Sequence, residues 1–181
     1  MKSDTKKTTF AGGCYWCTEA IFNKIRGVTK VTPGFSGGTT KNPTYKEVSL
    51  GNTGHAESIQ IEFDPEKIQY KDLLYIFFKT HDPTTLDRQG ADVGKQYRSV
   101  IFYHSLKQKE EAEKQKKNMQ TDFKDLIVTE IVPFESFHEA PRDHKDYYDK
   151  NKGNTYCSLV IDPKIKKLEN DFGDYLKKQE N

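Results

Sequence analysis

Polar and apolar residues alternate through "ESIQIEF" (57–63), which puts Ile59, Ile61 and Phe63 on one face and predicts a half-buried strand. Apolar runs predict further strands over 7–10, 29–33, 99–103 and 127–132. Helical patterning predicts helices over 16–25, 70–79, 106–123, 144–150 and 163–177. In the first of these, Ala20, Ile21 and Ile25 share an apolar stripe. In the third, "SLKQKEEAEKQKKNMQTDF", Lys and Glu interleave with little apolar surface, as on a solvated outer helix. Strands and helices mix without strict alternation. The pattern therefore predicts an α+β fold, a two-layer α/β sandwich with a mixed central sheet covered by helices, and not a doubly wound parallel sheet.

Two long loops rich in Gly and Pro, "PGFSGGTTKNPTY" and "THDPTTLDRQGADVGKQY", separate these elements, and loops of that length are usually functional or mobile. No internal repeat or low-complexity linker divides the 181 residues, so a single domain over 1–181 is expected. Aromatic residues make up 12% of the chain, enough for a packed core despite 31% charged residues. A net charge of +2 gives no reason to expect nucleic acid or an anionic membrane as partner. No apolar run approaches the ~20 residues of a membrane span. The start, "MKSDTKK", lacks the apolar segment of a secretory signal, so a cytoplasmic location is expected. In that reducing compartment a cysteine is more often catalytic or metal-binding than structural.

The chain has three cysteines, two of them in "FAGGCYWCTEAIF". Cys14 follows a predicted strand and two glycines and precedes a predicted helix. Its sulfur is thereby placed near a helix N-terminus, which favours an anion. A free thiol of pKa ~8.5 is mostly protonated at pH 7, and a downward shift of ~2 units makes thiolate the majority form. Gly12 and Gly13 let the backbone turn sharply and are expected to leave space for a substrate. Cys14 is the candidate nucleophile; the plainer reading is a small buried hydrophobe.

Cys17 lies on the same helix face, at a Cβ separation of roughly 5–6 Å in a regular helix. A disulfide wants roughly 3.5–4.5 Å, so a bridge requires an adapted first turn. The Cys-x-x-Cys pair is readable as a redox couple, as half of a zinc site, or as a nucleophile with an unrelated neighbour. Zinc lacks support, because no second Cys-x-x-Cys exists and the five histidines form no ligand-spaced pair. Tyr15 and Trp16 argue against open thiol–disulfide exchange, since their rings would wall a small pocket; the alternative is that both are core aromatics.

"GGCYWCTEAIF" resembles the active-site motif of the A-type peptide methionine sulfoxide reductases (the MsrA family). "NPTYKEVSLGNTGHAE", "HDPTTLDRQGADVGKQYRSVIFY" and "HKDYYDKNKGNTYC" are similar to further motifs of that family, in the same order. The resemblance spans residues 8–163, leaving polar N- and C-terminal extensions, and it implies an α/β two-layer sandwich around a mixed sheet.

The resemblance implies that Cys14 attacks the sulfur of a methionine sulfoxide. Glu57 of "TGHAE" matches the acid that protonates the departing oxygen. To be protonated near pH 7 its pKa must rise about 2.7 units, worth about 3.7 kcal/mol, which burial in an apolar pocket can supply. Tyr45 and Tyr97 match the tyrosines whose hydroxyls bond that oxygen, and Asp92 matches an acidic residue that holds substrate and pocket together. Tyr15 and Trp16 would cradle the S-methyl group and select one epimer. Taken singly, Glu57 reads equally well as an exposed carboxylate at a strand start, and either tyrosine as an ordinary half-buried residue; only the joint match favours the set. His55 and Asp82 are assigned loop-fixing roles and Arg98 a framework charge.

Attack leaves Cys14 as a sulfenic acid, which a second thiol condenses with to give a disulfide. Cys157, carried on the flexible segment "NKGNTYC", is preferred; Cys17, or a relay through both, is the alternative. No cofactor or metal is implied. An external dithiol, thioredoxin or dithiothreitol, is the expected reductant of a monomeric enzyme that repairs free or protein-bound methionine-S-sulfoxide. The chain departs from the commonest pattern at two positions. Tyr15 replaces Phe, adding a hydroxyl that is tolerated if solvated, and Cys17 replaces Gly. No B-type domain follows, so the R epimer is not an expected substrate. A general dithiol–disulfide oxidoreductase and a zinc-binding interaction module are the competing classes.

Overall fold

A computed structural model of the chain describes residues 5–178; the outermost parts of the two polar extensions, 1–4 and 179–181, lie outside the described residues. The strands, in chain order, are β1 (Lys6–Gly12), β2 (Val28–Ser36), β3 (Ala56–Phe63), β4 (Arg88–Gln89), β5 (Asp92–Val93), β6 (Ser99–Tyr103), β7 (Glu130–Pro133) and β8 (His138–Glu139). Six of them form one sheet in the order β7-β6-β1-β3-β2-β8, while β4 and β5 make a separate hairpin. Only the β6–β7 pairing within the large sheet is parallel, so the sheet is mixed, as the pattern predicts.

Helices α1 (Tyr15–Asn23), α2 (Tyr45–Ser49), α3 (Tyr70–Thr80), α4 (Leu106–Met119), α5 (Tyr147–Lys150) and α6 (Asp162–Asp171) complete the fold. The alternation in β3 does what its period requires: Ile59, Ile61 and Phe63 are buried in the main core, with Gln60 and Glu62 half-exposed between them. Phe10 of β1 stacks on Phe77 of α3 at 4.8 Å between ring centroids and meets Phe22 of α1 at 5.8 Å. Each such buried side chain is worth about 1.5–3 kcal/mol of transfer free energy. Ala11, Ala56, Val100 and Phe102 form a second, smaller cluster. In α4 only Ala112 and Met119 are buried, as expected of a solvated helix. Among the described residues, no helix is long and apolar enough to cross a membrane.

Several boundaries differ from the sequence expectation, each for a local reason. Helix α2 was not anticipated, although "TYKE" carries its signature. The Thr44 hydroxyl accepts from the Glu47 N–H, and the Glu47 carboxylate accepts from the Thr44 N–H at 2.8 Å, a complete capping box. The strand expected over 127–132 starts only at Glu130, because the Val128 N–H is drawn to the Pro83 carbonyl. The helix expected over 144–150 is split: a 3₁₀ turn over Arg142–His144 ends at extended Lys145, and Asp146 takes φ 54°, which no helix contains. The last helix stops at Asp171, and a 3₁₀ turn over Gly173–Tyr175 follows.

The two long loops are tied down. Gly38 donates to His55 Nδ1 at 3.0 Å while His55 Nε2 donates to the Thr40 carbonyl. Asp82 and Gln89 exchange two hydrogen bonds, Asp82 N–H to Gln89 Oε1 and Gln89 Nε2–H to the Asp82 carbonyl, each 3.0 Å. Arg98 pairs with Glu130 at 3.4 Å. Both loops are thus hydrogen-bonded to the body of the fold or across their own length.

Candidate active site

Strand β1 delivers the chain to Gly13, whose φ of +91° only glycine adopts without strain, and Cys14 then caps α1. The space beside the two glycines is not left for a ligand, contrary to expectation. A Cβ on Gly13 would lie 2.5 Å from Gln89 Cγ, and one on Gly12 would lie 2.9 Å from the Phe77 ring. The glycines serve protein packing, and Cys14 is the least covered of the three thiols though still buried. It keeps 9% exposure, against 1% for Cys17 and none for Cys157.

Glu57, at the start of β3, is only 2% exposed and accepts the Tyr15 backbone N–H at 3.0 Å. Burial pushes its carboxyl up to about 8; the Tyr15 hydrogen bond opposes the shift and the Asp92 charge adds to it. At pH 7 the group is therefore chiefly a neutral acid. Burial raises the phenols of Tyr45 on α2 and Tyr97 at the end of a 3₁₀ turn, and the charges of Glu57 and Cys14 add to it. They remain O–H donors at any working pH. Asp92, in the β4–β5 hairpin, accepts the Tyr156 hydroxyl at 2.9 Å.

The thiols do not behave as the helix position alone suggests. Burial holds the Cys14 thiol well above its ordinary value, reinforced by its hydrogen bond to Cys17 and by the Glu57 charge. The helix N-terminus contributes the opposite sign but is outweighed by desolvation. Cys17 is lowered to about 7, first by the hydrogen bond with Cys14, with help from the Lys164 charge and from Tyr156. The pair is thus a Cys14 S–H facing a sulfur that ionises near neutrality. Tyr156 completes it, its hydroxyl 3.8 Å from Cys17 Sγ.

The aromatic wall is larger than "YW" implies. Trp16 stacks on Tyr147 with ring centroids 3.7 Å apart and planes 6° from parallel, and meets Tyr156 edge-on at 5.9 Å. Tyr15 is fully buried, and its hydroxyl is met not by solvent but by His144 Nδ1 at 2.6 Å. His144 in turn sets its ring edge-on to Tyr45 at 4.5 Å. His144, Tyr147 and Tyr156 were absent from the candidate set, although all three lie in the "HKDYYDKNKGNTYC" segment; its dense aromatics were the available signal. Cys157 follows a turn over residues 151–154. It opens a π-helical turn, Cys157–Ile161, that leads into α6, and it is sealed in the core. The structure brings Cys17, Trp16 and Asp92 against Tyr156 and puts Cys14, Glu57, Tyr45, Tyr97 and Asp92 close enough to feel one another's charge, while Cys157 is buried in the core. Among the described residues no group of three or more His, Cys, Asp or Glu side chains is placed to hold a metal ion.

A buried neutral carboxyl beside a cysteine pair and two phenolic donors, on a mixed α+β sheet, defines a thiol oxidoreductase. Comparison with known proteins narrows the class. The family model described as peptide methionine sulfoxide reductase matches residues 6–176. The peptide methionine sulfoxide reductase MsrA of Sulfolobus acidocaldarius is 56% identical over 166 residues, covering 92% of this chain and 94% of the relative. The reduced form of Mxr1 from Saccharomyces cerevisiae superposes with a TM-score of 0.80 at 33% identity, over 87% of this chain and 91% of that one. Mxr1 in complex with Trx2 matches with a TM-score of 0.56 at 26% identity, over 81% and 87%. The chain belongs to the A-type peptide methionine sulfoxide reductases, oxidoreductases that reduce methionine sulfoxide.

Proposed function

We propose that this chain reduces the S epimer of methionine sulfoxide, free or within a polypeptide, by attack of Cys14 on the sulfoxide sulfur. The observation that carries the reading is the Glu57 carboxyl, 2% exposed and bonded to the Tyr15 N–H beside Cys14, where burial favours its protonated form. The Cys14 proton passes to Cys17, and the Cys14 sulfur bonds to the substrate sulfur. Glu57 gives its proton to the oxygen while Tyr45 and Tyr97 hydrogen-bond it. Collapse releases the thioether and leaves oxygen on Cys14 as a sulfenic acid: the substrate sulfur gains two electrons and Cys14 loses them. Glu57, now a carboxylate, is the base for the next step.

Recycling begins at Cys17. Its sulfur attacks Cys14, the hydroxyl departs with a proton as water, and a disulfide forms. The place of Cys17 three residues from Cys14 in the same helical turn, with its thiol lowered to about 7, supports this order over one through Cys157, which has no exposed surface. Cys157 then serves only after the π-helical turn opens, as a second relay station. Thioredoxin is the reductant we assign, on the likeness to Mxr1 in its complex with Trx2. Separate S and R sulfoxides incubated with dithiothreitol test the activity. Turnover of S alone is expected; turnover of R alone, or of neither, rejects it.

A further inference from the structure

One buried carboxyl takes no part in the chemistry above. Glu19 sits one turn along α1 from Tyr15 and is only 1% exposed. Among the described residues no lysine or arginine lies within ion-pair distance of it. Its two oxygens instead lie 3.0 and 3.1 Å from the Asp146 N–H, and the Tyr147 N–H also bonds it. Burial pushes it up to about 7 against those bonds. An unpaired acid so placed is costly, and among the described residues its hydrogen bonds go to two consecutive amides of another segment.

Those amides belong to the segment that closes the aromatic wall. Asp146 is held at φ 54°, ψ 33°, a left-handed conformation that costs a non-glycine residue of order 1–2 kcal/mol. This reversal turns Tyr147 back so that its ring lies flat on Trp16, and it places His144, two residues earlier, against Tyr15 and Tyr45. We propose that Glu19 is a positioning residue of the sulfoxide pocket, which acts through the backbone N–H groups of Asp146 and Tyr147 to hold Tyr147 against Trp16. The proposal rests on the reading of Trp16 as the wall that meets the substrate methyl group. Without Glu19 the amides lose their partner, the strained turn relaxes, and Trp16 loses its backing.

Trp16 is the single tryptophan, so its emission reports on the stack directly. Full-length Glu19→Gln and Glu19→Ala are compared with wild type by tryptophan emission, by N-ethylmaleimide labelling of Cys157 mapped on peptides, and by steady-state and single-turnover kinetics with the S sulfoxide. In Glu19→Ala we expect a shifted Trp16 emission, faster labelling of Cys157, and a KM raised about tenfold for the loss of two charge-assisted bonds. The first-turnover rate constant at saturating substrate should stay within about threefold of wild type. Glu19→Gln, an isostere that keeps one carbonyl acceptor, should fall between the two and remains informative if the alanine variant does not fold. Unchanged Trp16 emission and KM in Glu19→Gln and Glu19→Ala overturn the proposal. So does a loss of activity that only tracks the folded fraction, because a merely structural role would do that. If wild type reduces neither epimer, the functional reading fails, yet emission and labelling still decide whether Glu19 holds the stack.

Discussion

The Tyr15 hydroxyl donates to His144 Nδ1 across 2.6 Å, and so joins the first residue of the helix after Cys14 to the segment before Cys157. The direction follows from protonation. Burial raises the Tyr15 phenol and lowers the His144 imidazole, so the phenol keeps its proton and the neutral ring accepts it. A Phe at this position would need no partner; the Tyr of this chain has one because His144 arrives from the far end of the sequence.

Tyr15→Phe therefore should remove one buried hydrogen bond without opening a cavity. A loss of about 1 kcal/mol is expected, seen as a melting temperature lower by about 2–4 °C. Single-turnover rates should change less than about twofold, since the ring stays in place. Thermal melts and rapid quench measure the two effects.

Gly13→Ala should do far more damage. The added Cβ meets Gln89 Cβ at 2.7 Å and Cγ at 2.5 Å, and Gln89 cannot swing away without breaking both bonds to Asp82. Left-handed strain and overpacking together predict a loss of about 3 kcal/mol, or roughly 10 °C in melting temperature. A variant that melts within a degree of wild type would show that the turn has another conformation available.

Glu57→Gln should slow the reduction step about a hundredfold, the usual range for loss of a positioned general acid. The pH profile gives a sharper check. With the Glu57 carboxyl at about 8, the wild-type single-turnover rate should bend downward above that pH as the acid ionises. In Glu57→Gln that descending limb should vanish. A limb that survives the substitution belongs to another group.

The three thiols should separate in one experiment. After a single turnover without reductant, mass spectrometry is expected to find Cys14 bridged to Cys17 in wild type and in Cys157→Ser. In Cys17→Ser the sulfenic acid on Cys14 should persist long enough for a dimedone adduct to trap it. Direct bridging of Cys14 to Cys157 in that variant, as fast as in wild type, would mean that the π-helical turn opens freely.

Much of this was legible in the chain itself. The period of two in "ESIQIEF" marks β3 and its buried face, and the Lys–Glu interleaving of α4 marks a helix with two buried residues. Matched motifs also located the candidate carboxyl, phenols and first cysteine in one place. What sequence could not supply was desolvation. The position of Cys14 at a helix start suggests a lowered pKa, but burial reverses the sign, and no motif reports burial. Nor did spacing show that Tyr156, not its neighbour Cys157, turns toward the thiols, since adjacent residues in a helical turn point about 100° apart. Helix α2 was missed for a different reason: its "T-x-x-E" cap was present, but five residues are too short to carry an apolar period.

The same buried acid should tie stability to pH. Glu57 holds its proton more tightly folded, at about 8, than unfolded, near ~4.5. Its stabilising contribution is complete below the unfolded value and is lost as pH climbs through the folded one, at up to ~1.4 kcal/mol per pH unit. Glu19, at about 7, adds the same sign up to that pH. His81 works in the opposite direction. It is buried between the Phe77 carbonyl and the Ser99 hydroxyl and depressed to about 4, so its contribution is complete above ~6.5 and is lost only on acidification. Between pH 6.5 and 8 two groups oppose each other: Glu57 pulls stability down, while Cys17, lowered to about 7, pushes it up because its thiol ionises more readily folded than unfolded. Glu57→Gln cannot ionise, so its urea unfolding free energy should fall less, or rise more, over this interval than that of wild type, by ~2 kcal/mol. An equal pH dependence in wild type and variant would mean that the carboxyl is already charged at neutrality and cannot be the acid that protonates the sulfoxide oxygen.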